Sequence, residues 1–185
     1  LIKNLIEQIS FEARESEYID AKSGVSARIS ISAMENLVSS AERRMLLNGE
    51  NSTFIRILDF VGVIRAITGK RELVYEGEKE GSAKLTKILI GKAIRSQFSN
   101  YFPNPEKMKR QQDATPYQKI VNWFGDGNNL DVMTDIPQKD YEATLDKVPG
   151  LREIVKKYHP DADKETTLLF MEFILFGLAE FSFLS

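Results

Sequence analysis

At 185 residues, 42% apolar and 28% charged, the chain has the composition of a globular protein with room for one sizeable core or two small ones. It contains no cysteine, which excludes disulfide staples, thiol catalysis, zinc clusters and cysteine-ligated iron–sulfur chemistry, and makes a reducing cytoplasm the expected location. A formal net charge of −2 argues against a chain built to grip phosphate backbones, so nucleic acid is not an expected partner.

Helical periodicity recurs almost throughout and the chain reads as all-α. It opens on Leu1 directly into Ile2, Leu5, Ile6, Ile9 and Ala13, the i, i+3, i+4, i+7 spacing of a helix face. No signal peptide precedes this pattern, which reads as a piece of a longer protein. A first helix is expected from Ile2 to Tyr18, ended by the polar stretch Asp20 to Gly24. A second helix should run to about Leu47 with Ala33, Leu37, Val38, Ala41 and Met45 on one face. Its start has two readings: Ser26 as N-cap, or Ser32 with Glu35 as a capping box, with Ile29 and Ile31 extended or in a first turn between them. Asn48-Gly49 should close it with a left-handed residue.

A third helix is expected over Thr53 to Ile67, followed by the acidic, glycine-punctuated stretch Glu72 to Gly81, a loop that leaves room for a short strand at Leu73 to Tyr75. Ser82 caps the next helix, whose apolar period continues to Phe102 until Pro103 and Pro105 stop it. The polar stretch from Pro105 to Thr115, with Lys107, Lys109 and Arg110, reads as a mobile linker. Thr115-Pro116 then supplies a cap and a proline for a short helix through Ile120, Val121, Trp123 and Phe124. Two more helices, Asp140 to Val148 and Leu151 to Tyr158, are split by Pro149-Gly150, and a last one covers Lys164 to Phe183. Thr166 to Ser185 is apolar, but Glu172 and Glu180 would each cost about 2.5 kcal/mol or more at a bilayer centre, so it reads as a core helix and no membrane is expected. There is no internal repeat and no low-complexity tract.

Few residues carry a chemical signal. Neither Gly69-Lys70 nor Gly91-Lys92 has the upstream glycine and following Ser/Thr of a phosphate-cradling loop, so no residue is assigned to catalysis. Arg28 stands out because a guanidinium presents a planar fork of donors to phosphate oxygens, and because a cation sits unfavourably at the N-terminal end of a helix unless an anion visits. The plain alternative is a surface arginine at a helix start. The carboxylates Glu72, Glu76, Glu78 and Glu80 suit a hard cation, but with Lys70, Arg71 and Lys79 among them a solvated loop or a partner contact is the better reading, and no metal is expected. Asp126 to Asp131 lacks the glycine position and the twelfth-position glutamate of a calcium loop and reads as a turn. His159, the single histidine, reads as a helix C-terminal residue, and Lys84, Lys87, Lys92 and Arg95 as a solvated face. Trp123, Phe124, Phe170, Phe173, Phe176, Phe181 and Phe183 read as core aromatics.

The run Gly24-Val25-Ser26-Ala27-Arg28-Ile29-Ser30-Ile31, preceded by Ala13-Arg14 and followed by Ala41-Glu42-Arg43-Arg44, resembles the lid of an AAA+ ATPase of the magnesium chelatase ATPase-subunit type. Thr68 to Gly81 resembles a segment that follows the lid in chelatase-like bacterial proteins. The resemblance covers roughly the first hundred residues. It implies an all-α, lid-type helical bundle over residues 1–49 and a helical C-terminal extension over 50–185, with a further boundary at 103–114. It implies that Arg28, supported by Gly24 and Ser26, is the sensor-2 arginine that reads nucleotide. The chain lacks the P-loop, the Walker-B strand and the arginine finger of the family, so ATP and Mg²⁺ would belong to the parent protein and not to this fragment alone. The implied partners are the ATPase core of the same protein, further copies in a homo-oligomeric ring, commonly a hexamer, and a partner subunit. The rival expectation is a stand-alone helical interaction module with no nucleotide role; a DNA-binding lid comes third.

Overall fold

A computed structural model describes residues 1–15, 25–63, 81–110 and 115–184; for 25–29, 61, 82–83, 86 and 109–110 it describes the backbone only. Every regular element among the described residues is helical. The α-helices are α1 (Ile2–Arg14), α2 (Val25–Asn48), α3 (Ser82–Phe98), α4 (Pro105–Arg110), α5 (Gln118–Gly125), α6 (Gln138–Leu145), α7 (Leu151–Tyr158) and α8 (Lys164–Glu180), with a 3₁₀ helix over Ile57–Gly62. They form two compact units that interleave along the chain: Leu1–Arg43 with Ile55–Gln97, and Arg44–Phe54 with Phe98–Ser185.

In the first unit, α1 buries Leu5, Ile6, Ile9 and Ala13, the face its spacing predicts. It ends at Arg14, and the expected extension to Tyr18 lies outside the described residues. α2 runs unbroken from Val25, so Ser26, Ile29 and Ser32 all have helical backbone. Neither a cap at Ser32 nor an extended Ile29–Ile31 segment forms. Its buried line is Ala33, Leu37 and Ala41, whereas Val38, expected inward, is exposed and Met45 is half-buried. The line advances by four residues each time and continues by three to Arg44, which leaves Val38 on the solvent flank. Gly49 closes α2 at φ 64°, with Gly49 N–H donating to Leu46 and Glu50 N–H to Met45, the reciprocal pair of a Schellman stop.

The expected Thr53 to Ile67 helix does not form as drawn: residues 53–56 are irregular and a 3₁₀ helix begins at Ile57. Asp59 sets that start, accepting the Arg56 N–H at 2.8 Å with its carboxylate while its own N–H donates to the Arg56 carbonyl at 3.1 Å. Ile57, Phe60 and Val63 then point inward, and Gly62 passes close to Ser40 of α2, leaving little space for a side chain. The stretch from Ile64 to Glu80, with the acidic loop and its possible strand, lies outside the described residues. α3 buries Leu85, Leu89, Ala93 and Ile94.

In the second unit, the helical period from α3 stops at Phe98 rather than Phe102. The N–H groups of Tyr101 and Phe102 both return to the Phe98 carbonyl, and Pro103 disfavours helical backbone at the residue before it. The stretch read as a linker is helical over Pro105–Arg110. Asn104 caps it, its side-chain oxygen accepting from Glu106 and Lys107 N–H at 2.9 and 3.3 Å, with Pro105 at the first helical position. Thr115 also accepts the Tyr117 N–H at 3.3 Å, but α5 starts only at Gln118, with Tyr117 in the cap position and no side-chain capping bond, so the expected cap and first-position proline at Thr115-Pro116 fall in the turn before the helix. Trp123 and Phe124 meet edge to face but remain half-buried, so neither is a core residue.

α8 is apolar on nearly every side and packs against α6 and α7. Phe170, Phe173 and Phe181 are buried as expected, while Phe176 and Phe183 are only partly so. Phe98 is the hub of this core, with ring centroids 5.5 Å from Phe173 and Phe181 and 6.1 Å from Tyr117. Gly177 is what lets the Phe98 ring lie against α8, since a Cβ there would overlap it. Outside this core, Arg152 holds Asp146 through two hydrogen bonds of 2.8 and 3.0 Å and reaches Glu142 at 3.3 Å, and Lys164 of α8 pairs with Glu142 from the other side.

Gly177→Ala is therefore expected to destabilise the chain by about 1–3 kcal/mol through overpacking, against the roughly 1 kcal/mol that alanine ordinarily adds in a helix. A denaturant midpoint equal to or above that of the unchanged chain would contradict this packing. Asp163 caps α8 by accepting the Thr166 N–H at 2.7 Å, and that bond lowers its pKa. A depressed folded-state pKa means the cap's contribution is present above the ordinary carboxylate range and is lost as pH falls through the lowered value. The melting-temperature gap between the unchanged chain and Asp163→Ala should thus be open at about pH 7 and narrow towards about pH 2.

Candidate functional site

α2 has helical backbone from Val25 onwards, which places Arg28 in its first turn, where an arginine meets the positive end of the helix dipole. The Arg28 and Ser26 side chains and all of Gly24 lie outside the described residues. The described surroundings begin at Ser30. Its hydroxyl lies 2.9 Å from that of Ser10 on α1, and Ser10 donates in turn to the Ile6 carbonyl at 2.9 Å. With its proton engaged there, Ser10 is left to accept from Ser30. Arg14 Nε donates to the Ser10 carbonyl at 3.2 Å. Three polar groups thus converge on Ser10, two of them from α1 itself, and the contact with Ser30 ties the second turn of α2 to the C-terminal half of α1.

Beside this tie, α1 and the end of α3 form a shallow groove of about 460 Å³ lined by Asn4, Glu7, Gln8, Phe11, Arg14 and Gln97. Gln97 crosses it to donate to Gln8 at 3.1 Å, and Gln8 donates to Glu12 at 2.9 Å. Its lining mixes amides, both charges and an exposed Phe11. This set can hydrogen-bond a polar ligand but presents no nucleophile–base pair. Among the described residues no three His, Asp or Glu side chains gather as a metal site, and the carboxylates of 72–80 lie outside them.

Of the other flagged residues, His159 ends α7 as its spacing suggests. Its Nε2 lies 2.9 Å from the Tyr101 carbonyl and its ring stacks on Phe170 at 4.2 Å, so it bridges core elements. Asp126 to Asp131 is a turn with Gly127 at φ 86°, held by Asn128 donating to the Trp123 carbonyl. Lys84, Lys87, Lys92 and Arg95 are all exposed on α3. Among the described residues no helix is long and apolar enough to cross a membrane.

The second unit holds polar groups that sequence reasoning passed over. Arg44, part of the run that resembles a lid, is 1% exposed and donates to the Phe54 carbonyl at 2.7 Å and to Thr53 Oγ1 at 3.3 Å. Glu172, equally buried, accepts from the Tyr141 hydroxyl at 2.8 Å. A second phenol, Tyr117, donates to the Pro103 carbonyl at 2.7 Å, and burial, aided by Tyr158, pushes its pKa well up. The available signal was a carboxylate inside an apolar helix, which demands a donor from elsewhere in the fold. These pairs join segments distant in the chain and hold structure.

Compared with known protein families, with curated proteins and with solved structures, the chain matches none.

Proposed function

We propose that this chain is the lid and helical C-terminal extension of a magnesium-chelatase-like AAA+ ATPase, in which Arg28 senses the γ-phosphate of ATP–Mg²⁺. The nucleotide is held by the ATPase core of the same protein or by a neighbouring copy in a homo-oligomeric ring, and the extension passes the change on to a partner subunit. The supporting observation is the start of α2: helical backbone from Val25 puts Arg28 in the first turn, as a lid helix carrying a sensor-2 arginine requires. The tie from Ser30 to Ser10 adds to it, because a helix start anchored to α1 can convey a force applied two residues away. A charge-assisted contact made to triphosphate and lost on hydrolysis favours one lid position over another.

A second reading, a helical interaction module without a nucleotide role, draws support from apolar side chains exposed on two helices, Ile31 and Val38 on α2 and Ile88 on α3. The two readings separate in the complete protein that carries this chain. Arg28→Ala should lower ATP turnover by about tenfold or more, equivalent to about 1.4 kcal/mol of lost transition-state stabilisation, with the thermal stability of the 185-residue chain unchanged. Arg28→Lys, which keeps charge but not the planar fork, should restore only part of it. Unaltered turnover in both variants would overturn the ATPase reading and leave the module.

A further inference from the structure

Two helix faces of the first unit carry opposite charge in matching patterns around an exposed apolar centre. On α2, Val38 is 39% exposed, with Glu35 three residues before it and Glu42 four residues after, both exposed; Ile31, at 62% exposure, continues the stripe one turn earlier. Along a helix these carboxylates stand about 4.5 Å and 6 Å to either side of Val38. On α3, Ile88 is 41% exposed, with Lys84 four residues before it and Lys92 four after, both exposed, and Arg95 extends the stripe. The two lysines stand about 6 Å to either side of Ile88. α3 contains no acidic residue at all, so its face is of one sign throughout.

We propose that the α2 face bearing Glu35, Val38 and Glu42 docks on the α3 face bearing Lys84, Ile88 and Lys92 of a second copy of this chain. Val38 seats against Ile88 and each carboxylate meets an ammonium, removing both apolar centres from water and bringing unlike charges into register. The opposite pairings are disfavoured, because α2 on α2 sets carboxylates together and α3 on α3 sets ammonium groups together. Each contact joins different faces of the two copies, so a two-fold dimer that makes it twice uses both faces of each copy, whereas a head-to-tail pair leaves one α2 face and one α3 face open to further copies. It makes no use of Arg28, and its test contains no nucleotide, so it stands or falls separately from the ATPase reading.

A helix-on-helix contact of this kind lies below about 1,200 Å², in the range of weak association. The test is sedimentation velocity of the 185-residue chain at about 0.1 mM, with E35K/E42K and K84E/K92E as charge-reversed variants whose folding is checked by thermal melting. The unchanged chain should sediment faster as concentration rises and lose this behaviour in about 1 M salt. Each reversed variant alone should remain monomeric, and an equimolar mixture of the two should associate again, since each supplies the face the other lacks. V38D offers a second disruption that leaves the native charges in place and should also give monomer. A chain that stays monomeric at every concentration, a reversed variant that still associates alone, or a mixture that fails to recover association would overturn the proposal.

Discussion

A guanidinium that is 1% exposed must be met by oxygen, and the way Arg44 meets that need shapes the chain after α2. Its donors take the Phe54 carbonyl and the Thr53 hydroxyl, so the backbone that follows Gly49 stays irregular through residues 53–56 instead of winding into another helix. Phe54, placed by that bond, sets its ring 6.1 Å from Tyr141, and the Tyr141 hydroxyl in turn donates a hydrogen bond to Glu172 on α8. Asn48 and Glu50 add to the same seam, donating to the Asp135 carbonyl and accepting the Gln138 N–H that opens α6. The apolar helix α8 can therefore carry a carboxylate in its interior, because a hydroxyl from α6 is waiting for it.

This seam also explains where sequence reading succeeds and where it fails. Elements defined by local signals are legible: the apolar spacing of α1, the Asn48-Gly49 stop and the Pro149-Gly150 break. Each depends on residues within a turn or two of the feature itself. The misread segments depend on partners distant in the chain. Phe54 has the right period for a helix, and only the arginine ten residues earlier decides otherwise. Val38 belongs to a broad apolar arc of which the burial of Ala33, Leu37 and Ala41 uses one side. The stretch after Pro105 is a different case, since Asn104-Pro105 offers the same cap-and-proline signal as Thr115-Pro116 and its polarity drew attention away from it.

The site itself is legible in kind more than in detail. Of the two starts the sequence allows for the second helix, Ser26 and Ser32, only the first puts Arg28 in a first turn, and α2, helical from Val25, has that form. What the sequence does not announce is the Ser10–Ser30 contact, because two serines in separate helices carry no pattern until the helices pack. That contact matters for the proposed role. A sensor on a freely fraying helix end would move without consequence, whereas one two residues from an anchored hydroxyl displaces α1 along with α2.

If Arg28 reads the γ-phosphate, the start of α2 responds to whether a triphosphate is present. Hydrogen exchange of the complete protein, followed at the backbone amides of residues 25–31 with a non-hydrolysable ATP analogue and with ADP, tests this most directly. Slower exchange is expected in that segment with the triphosphate than with the diphosphate, and no difference between the two once Arg28 is replaced by alanine. Equal exchange with both nucleotides in the unmodified protein would contradict it.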